Sequence, residues 1–388
     1  MNQIRKIMIF AGEASGDAHA AKLVEAMRES APETAFEFFG ATGAKMRAAN
    51  VETIVNSDNL SIVGLPEIAR ALPMFWKTFQ KLKRAAIERK PDVVILVDFP
   101  DFNLKLAKSL HRRNFKIVYY VSPQLWAWRK YRRRTIERYV DLLLTILPFE
   151  KDWYQKRGIL HVEYVGNPLA KEVFSKLTKE EFCQKHNLDS SKQIVALLPG
   201  SREKEIARIL PPMLETAALM NAKNADLQFA VAASSDEKAA AIDAAIAREV
   251  EKNLKLPKFL SIVANETREI LNAADVAAVT SGTATLETAI IGTPLAVVYK
   301  TSALNYKLLR PLISVEHFGL INLIAGKRLA SELIQDDFTP AALAEELFRL
   351  LEPLENKRMR ERLREEVAES LGSGGASKRA AESILKLL

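Results

Sequence analysis

The chain has a single cysteine, Cys183, so an intrachain disulfide is excluded. Its five histidines (His19, His111, His161, His186, His317) are dispersed without ligand spacing, so a structural metal is not expected. No Asp-x-Asp occurs, and the carboxylate pair that commonly holds a divalent metal is therefore missing. Also absent are the Gly-x-Gly-x-x-Gly dinucleotide fingerprint, the Gly-Lys-Ser/Thr phosphate loop and the Gly-x-Ser-x-Gly nucleophile elbow. These absences leave no sign of a resident cofactor. The opening apolar run, Ile7 to Ala11, is far shorter than the roughly 20 residues of a membrane span, and no cleavage pattern follows it. A cytoplasmic protein is expected. No internal repeat of solenoid period is found.

A hydrophobic fraction of 48% with 27% charged residues describes a soluble globular chain, and 388 residues are enough for two domains of ordinary size. The net charge of +8 calls for an anionic partner, which nucleic acid, a membrane surface or a phosphorylated substrate would each satisfy. Strand-like runs alternate with helical stretches. Lys6 to Ala11, Phe36 to Phe39, Val93 to Val97, Phe115 to Val121 and Leu142 to Ile146 form one set. Gln193 to Leu198, Leu227 to Ala232, Leu260 to Val263, Val276 to Val279 and Leu295 to Val298 form another. Such alternation predicts α/β architecture, a parallel sheet in each half, with the boundary near Pro168. From about Pro340 the chain reads as helical, broken by an elbow at Gly372-Ser373-Gly374-Gly375.

Chemistry-bearing residues collect where strands end. Tyr120-Val121-Ser122-Pro123-Gln124-Leu125-Trp126-Ala127-Trp128-Arg129 puts two of the four tryptophans after an apolar run, at the strand edge where α/β sheets bind ligands. For one tryptophan a core role is the better reading, but Ser-Pro followed by Trp-x-Trp-Arg reads as a shaped wall. Gly12-Glu13-Ala14-Ser15-Gly16-Asp17 follows the first strand and precedes a helix expected from about Ala18, which Asp17 would cap. Leu198-Pro199-Gly200-Ser201-Arg202 repeats that arrangement in the second half, where Arg202 and helix amides suit a diphosphate. Ser281-Gly282-Thr283-Ala284-Thr285-Leu286-Glu287 opens another helix, and two such corners favour an anion site over ordinary N-caps and a surface Glu287 ion pair. Asp98 ends the strand Val93 to Val97 and is placed to act as a general base, whereas Asp101 is expected to cap a helix starting at Asn103.

Taken together and in this order, the segments at Gly12, Val97-Asp98-Phe99-Pro100-Asp101-Phe102-Asn103, Val121 to Trp128, Leu198 to Arg202 and Ser281 to Glu287 resemble lipid-A-disaccharide synthase, nearly end to end. The resemblance implies two Rossmann-like doubly wound domains, the B-type glycosyltransferase fold, with a C-terminal helix crossing back to the first domain. Residues 1–168 would take the lipid acceptor and face the membrane, 169–360 would bind the UDP-sugar donor, and 361–388 would pack back. It implies inverting, metal-independent transfer from UDP-2,3-diacylglucosamine to 2,3-diacylglucosamine 1-phosphate (lipid X), giving a β-1,6-linked disaccharide 1-phosphate and UDP, with Asp98 as base and Arg202 assisting. Donor contacts carried over are Ser201, Arg202, Ser281, Gly282, Thr283, Glu287, Asn322 and Gln335. Acceptor contacts are Ser15, Asp17, Ser122, Trp126, Trp128 and Arg129. Asn167 stands where histidine is common in the family, and Ile321 where proline is frequent.

Acylated substrates imply peripheral contact with the cytoplasmic face of an inner membrane. Leu65 to Trp76 combines large apolar residues (Leu72, Met74, Phe75, Trp76) with two prolines and is followed by Lys77, Lys81, Lys83 and Arg84. Arg132 and Arg133 lie in a basic run that suits lipid headgroups or a substrate phosphate. A buried helix pair and a solvated helix face are the plain alternatives. A homodimer stays open. Nucleic-acid binding would also use the basic balance, but no binding motif accompanies it. A soluble UDP-sugar epimerase of related architecture would need no apolar, basic surface at Leu65 to Arg84.

Overall fold

The computed structural model describes residues 4–58, 60, 65–302, 306–307 and 317–388, with backbone alone for 65–71. The chain divides into two compact units, residues 1–168 with 373–388, and residues 169–372.

In the first unit seven parallel strands run β1 (Arg5–Ala11), β2 (Phe36–Thr42), β3 (Glu52–Asn56), β4 (Val93–Val97), β5 (Ile117–Tyr120), β6 (Leu142–Thr145) and β7 (Val162–Tyr164), in the order β3-β2-β1-β4-β5-β6-β7. Parallel pairing requires crossovers, and these are helical: α1 (Ala14–Ser30), α2 (Ala44–Ala48), α3 (Leu65–Arg89), α4 (Pro100–His111), α5 (Arg133–Tyr139) and α6 (Glu150–Gln155). Because helices cover both faces, the central strands are apolar throughout: every residue of β4 and β5 is buried. One face packs Ile7, Ile9, Val93 and Ile95 on α1, and the other packs Met8, Phe10, Val94 and Leu96 on α3, α4 and α5.

The second unit has α7 (Lys179–Lys185), β8 (Ile194–Leu198), α8 (Glu203–Lys223), β9 (Gln228–Ala233), α9 (Asp236–Glu251), β10 (Leu260–Ala264), α10 (Thr267–Ala273), β11 (Val276–Thr280), α11 (Thr283–Ile291), β12 (Leu295–Tyr299), α12 (Leu320–Ala325), β13 (Glu332–Ile334), α13 (Pro340–Leu351) and α14 (Pro353–Leu363). Its six strands are parallel in the order β10-β9-β8-β11-β12-β13.

Left-handed glycines at 372, 374 and 375 turn the chain, and α15 (Ala376–Leu385) joins the first unit. Ala380, Ala381 and Ile384 enter the core beside α1, and Arg379 donates to the Val165 carbonyl at 2.8 Å. The return thus begins at Ser373, whereas residue 361 was expected; residues 361–372 stay with the second unit because Met359, Leu363 and Val367 form a continuous buried stripe there. Two helix starts also differ from expectation. Helix α1 begins at Ala14, so Asp17 lies inside it, and α4 begins at Pro100, which is favoured in the first turn, so Asp101 lies inside it.

Candidate functional site

The strand orders place a topological switch point in each unit, between β1 and β4 and between β8 and β11. Ligands of doubly wound sheets bind at such points, beyond the carboxyl ends of the strands. At the first stand Gly12-Glu13 after β1 and Asp98-Phe99 after β4. Asp98 and Phe99 both take left-handed backbone (φ 48° each), a strained conformation for non-glycine residues. The Asp98 carbonyl is held there by the Tyr119 hydroxyl (2.6 Å) and Asn103 Nδ2 (2.7 Å), while the Asp98 amide donates to the Tyr120 carbonyl (3.0 Å). The turn throws the Phe99 ring against Gly12, where a Cβ would come within 2.5 Å of ring carbons. Only glycine fits that contact, and it brings Glu13 close enough to repel the Asp98 carboxylate. Burial, then Glu13, raises the Asp98 pKa to about 6, against the lowering effect of the Phe99 amide. A carboxylate poised near neutrality suits a general base.

The loop after β5 lies next to this corner, since β5 pairs with β4. Arg129 pairs with Asp101 at 2.8 Å, Arg132 pairs with the same carboxylate, and Arg129 stacks over Trp128 at 4.2 Å. Asp101 is therefore an anchor for this loop and not a helix cap. Burial raises its pKa, but Arg132 and Arg129 outweigh that and hold it below the usual range. Ser122 and Trp126 are buried and both donate to Glu150, a residue the sequence reading missed. Its only sequence signal is an acidic residue in an apolar context after a strand, Leu147-Pro148-Phe149-Glu150. Ser15 is exposed on the first turn of α1. Asp17 is buried and accepts from the amides of Gly43 (2.8 Å), Lys45 (2.8 Å) and Met46 (3.2 Å), capping α2 and not its own helix.

At the second switch point the groups are of opposite sign. Gly200, at φ 102°, turns the chain from β8 into α8, leaving Ser201 exposed and Arg202 65% exposed beside Glu205 (2.9 Å). Ser281, Gly282 and Thr283 lead from the adjacent β11 into α11, and the Thr280 hydroxyl bonds the Leu198 carbonyl (2.8 Å), fixing the two corners side by side. Two helix N-termini and a guanidinium thus make an anion-attracting corner. The Ser281 hydroxyl donates to the Phe318 carbonyl (2.9 Å), and Glu287 accepts from Arg268 through Nε (3.2 Å) and Nη2 (2.9 Å). Asn322 is fully buried: its amide nitrogen donates to Ala330 and Glu332, and its oxygen accepts from the amides of Leu329 and Ala330, all at 2.8 Å. Gln335 bonds both backbone groups of Thr301 (2.6 and 3.2 Å). Both amides are spent on holding loops.

On α3 the interface candidates separate by helical phase. Leu72 and Trp76 are 60% and 66% exposed and Lys77 is exposed, while Met74 and Phe75 pack against the core. Arg133 donates to the Arg157 carbonyl (3.3 Å). Among the described residues no helix is long and apolar enough to cross a membrane, and no cluster of His, Cys, Asp or Glu is arranged to hold a metal.

Two doubly wound parallel sheets with switch-point loops and a returning C-terminal helix define the class of B-type glycosyltransferase folds. The likeness extends over whole chains to the S. aureus MnaA-UDP co-structure (TM-score 0.62, 15% identity, 99% of this chain and 98% of that one) and to Acinetobacter baumannii MurG (TM-score 0.59, 13% identity, 99% and 100%). The family model for lipid-A-disaccharide synthetase matches residues 7–386. The lipid-A-disaccharide synthases of Trichlorobacter lovleyi (41% identity, 99% of this chain, 98% of that protein) and Myxococcus xanthus (42%, 99% and 97%) are similar throughout. The chain belongs to the lipid-A-disaccharide synthase family, a family of UDP-sugar-dependent glycosyltransferases.

Proposed function

We propose that this chain transfers the 2,3-diacylglucosaminyl group of UDP-2,3-diacylglucosamine to the 6-hydroxyl of 2,3-diacylglucosamine 1-phosphate. The observation that carries the reading is Asp98, a carboxylate at the first switch point whose proton affinity is raised to about pH 6 by burial and Glu13. Above that pH it accepts the proton of the 6-hydroxyl as the oxygen attacks the anomeric carbon of the donor. The carbon–oxygen bond to UDP breaks on the opposite face, so one displacement inverts the centre and no enzyme nucleophile is needed. Negative charge appearing on the leaving diphosphate is met by Arg202, Ser201 and the amides opening α8 and α11, including Gly282 and Thr283. Glu287, steadied by Arg268, is read as the ribose acceptor. Asn322 and Gln335 are read as supports of that corner, since their amides are already bonded.

The first unit is read as the acceptor side, with Trp128 and Arg129 on its wall. Leu72, Trp76 and Lys77 on α3 are read as the contact with the cytoplasmic face of the inner membrane. The test is an assay in detergent micelles with both lipids, following the disaccharide by mass spectrometry. Product requiring both supports the reading. No product from folded protein, with UDP-N-acetylglucosamine consumed instead, would replace it with a soluble sugar-nucleotide activity.

A further inference from the structure

Glu150 is the most deeply buried carboxylate beside the site, 1% exposed at the first position of α6, and the reaction above gives it no part. Four donors converge on it. Oε1 accepts from the Ser122 hydroxyl (2.8 Å) and Trp126 Nε1 (3.0 Å), and Oε2 accepts from the amides of Ile146 (3.3 Å) and Leu147 (3.1 Å). Three of these donors are N–H groups that cannot reverse their role, and only an ionised carboxylate accepts from all of them without offering a proton. The same point is fastened twice more: Trp126 packs edge-on to Phe149 at 5.1 Å, and the Tyr154 hydroxyl donates to the Pro123 carbonyl at 3.0 Å. The loop after β5 is thus fastened to the loop after β6 at one end, and at the other, through Arg129, to Asp101 of α4, three positions beyond Asp98.

We infer that Glu150 is a positioning residue for the acceptor: its carboxylate fixes Ser122 and Trp126 so that Trp128 and Arg129 stand at the distance from Asp98 that the acceptor sugar and its phosphate require. This rests on the reading that the loop forms the acceptor wall. The geometry sets what each substitution does. In Glu150→Gln the side-chain NH2 must face either the amides of Ile146 and Leu147 or the indole N–H of Trp126, so one end of the clamp is lost in either orientation. Burial draws the Glu150 pKa up to about 7 against the lowering by Trp126, Ser122, Leu147 and Ile146, so protonation loosens the same clamp as pH falls. The other titratable groups facing it are Tyr154 of its own helix and Tyr164 of β7, both with raised pKa values and neutral in this range, and Arg379 of α15 acts on Tyr164.

The test uses the full-length chain and compares Glu150→Gln, Trp126→Phe and Ser122→Ala with wild type in the two-lipid assay. Alongside it runs acrylamide quenching of the fluorescence lost in Trp126→Phe. Glu150→Gln is expected to raise the acceptor KM about tenfold to a hundredfold, to leave the donor KM within about twofold, and to expose Trp126 to quencher. The wild-type acceptor KM is expected to rise below pH 7, and this rise is expected to vanish in Glu150→Gln. A generally damaged fold would move both KM values together and would not remove the pH dependence. Unchanged acceptor KM and unchanged quenching in a folded Glu150→Gln overturn the inference. If that variant does not fold, an unchanged acceptor KM in Trp126→Phe overturns it instead. Absence of turnover in wild type would count against the proposed reaction alone, because the quenching comparison still reads the clamp.

Discussion

The two switch points share a geometry and differ in sign. In the first, a pair of left-handed residues and a ring packed on Gly12 bring two carboxylates, Glu13 and Asp98, into mutual repulsion. In the second, a left-handed glycine and two helix N-termini gather amides, hydroxyls and Arg202. The first concentrates proton affinity and the second concentrates attraction for anions. One supersecondary unit therefore carries opposite chemistry in the two halves of the chain, and the side chains at the strand ends decide which.

Neutralising the first corner is expected to have the greatest effect. Asp98→Asn keeps a residue that tolerates left-handed backbone, and turnover is expected to drop at least about a hundredfold, read by disaccharide formation. The same variant is expected to be more stable. A folded pKa of about 6 against 3.8 means that the cost of the buried charge is fully present above pH 6 and absent below 3.8. The urea midpoint should rise by the equivalent of about 1 to 3 kcal/mol at pH 8 and match wild type at pH 3.5. A loss of stability at pH 8 would show that Asp98 is held by contacts that favour its ionised form.

At the second corner Arg202→Ala should weaken UDP about tenfold in calorimetry while Asp98→Asn leaves UDP binding alone. Equal effects of the two variants would erase the distinction between the corners. A comparable but structural effect is expected from Gly12→Ala, whose Cβ meets the Phe99 ring at 2.5 Å. Phe99 is hemmed in by Phe10, Phe75 and Phe102, so melting should report a loss of about 1 to 3 kcal/mol. Gly16→Ala, with its nearest contact at 3.4 Å, is the tolerated control.

Smaller again is the effect of Glu13→Gln on the pH–rate profile. Activity should fall as pH drops through about 6, where Asp98 gains its proton, and removing the Glu13 charge should move that limb to lower pH. Burial is the larger cause, so the limb stays above the ordinary aspartate range; a limb that does not move would separate the two carboxylates. Last, Leu72→Asp with Trp76→Asp should cut binding to anionic vesicles with almost no change in melting temperature, because both side chains already face solvent.

The strands that the sequence revealed are the interior ones together with β10, an edge strand that still carries an apolar run, Leu260–Ala264. Val93 to Val97 reads as a strand because burial on both faces demands a continuous apolar run, and its observed limits are the same. β3, β7 and β13 were missed. Each lies at a sheet edge, is short, and carries polar residues such as Glu52, Glu163 and Glu332, so no apolar run marks it. The expected strand ends located Asp98, Arg202, Ser281 and the tryptophan loop. The sequence could not show what the buried members of these groups bond to. Asp17 and Asp101 looked like caps of their own helices, yet one caps α2 across 26 or more residues and the other grips Arg129 of the next loop.

Hydrophobic periodicity was enough by itself to determine the α/β class, two sheets and the strand ends at which chemistry collects, because all of these are local, and the resemblance of the ordered motifs pointed to the family. Tertiary structure alone decided the proton affinity of Asp98, the commitment of Asn322 and Gln335 to their own loops, the split of α3 into a core face and an exposed one, and the presence of Glu150 beneath the tryptophan loop. Each depends on burial and on partners distant in sequence, and neither desolvation nor a convergent set of donors leaves a spacing that a linear chain can display.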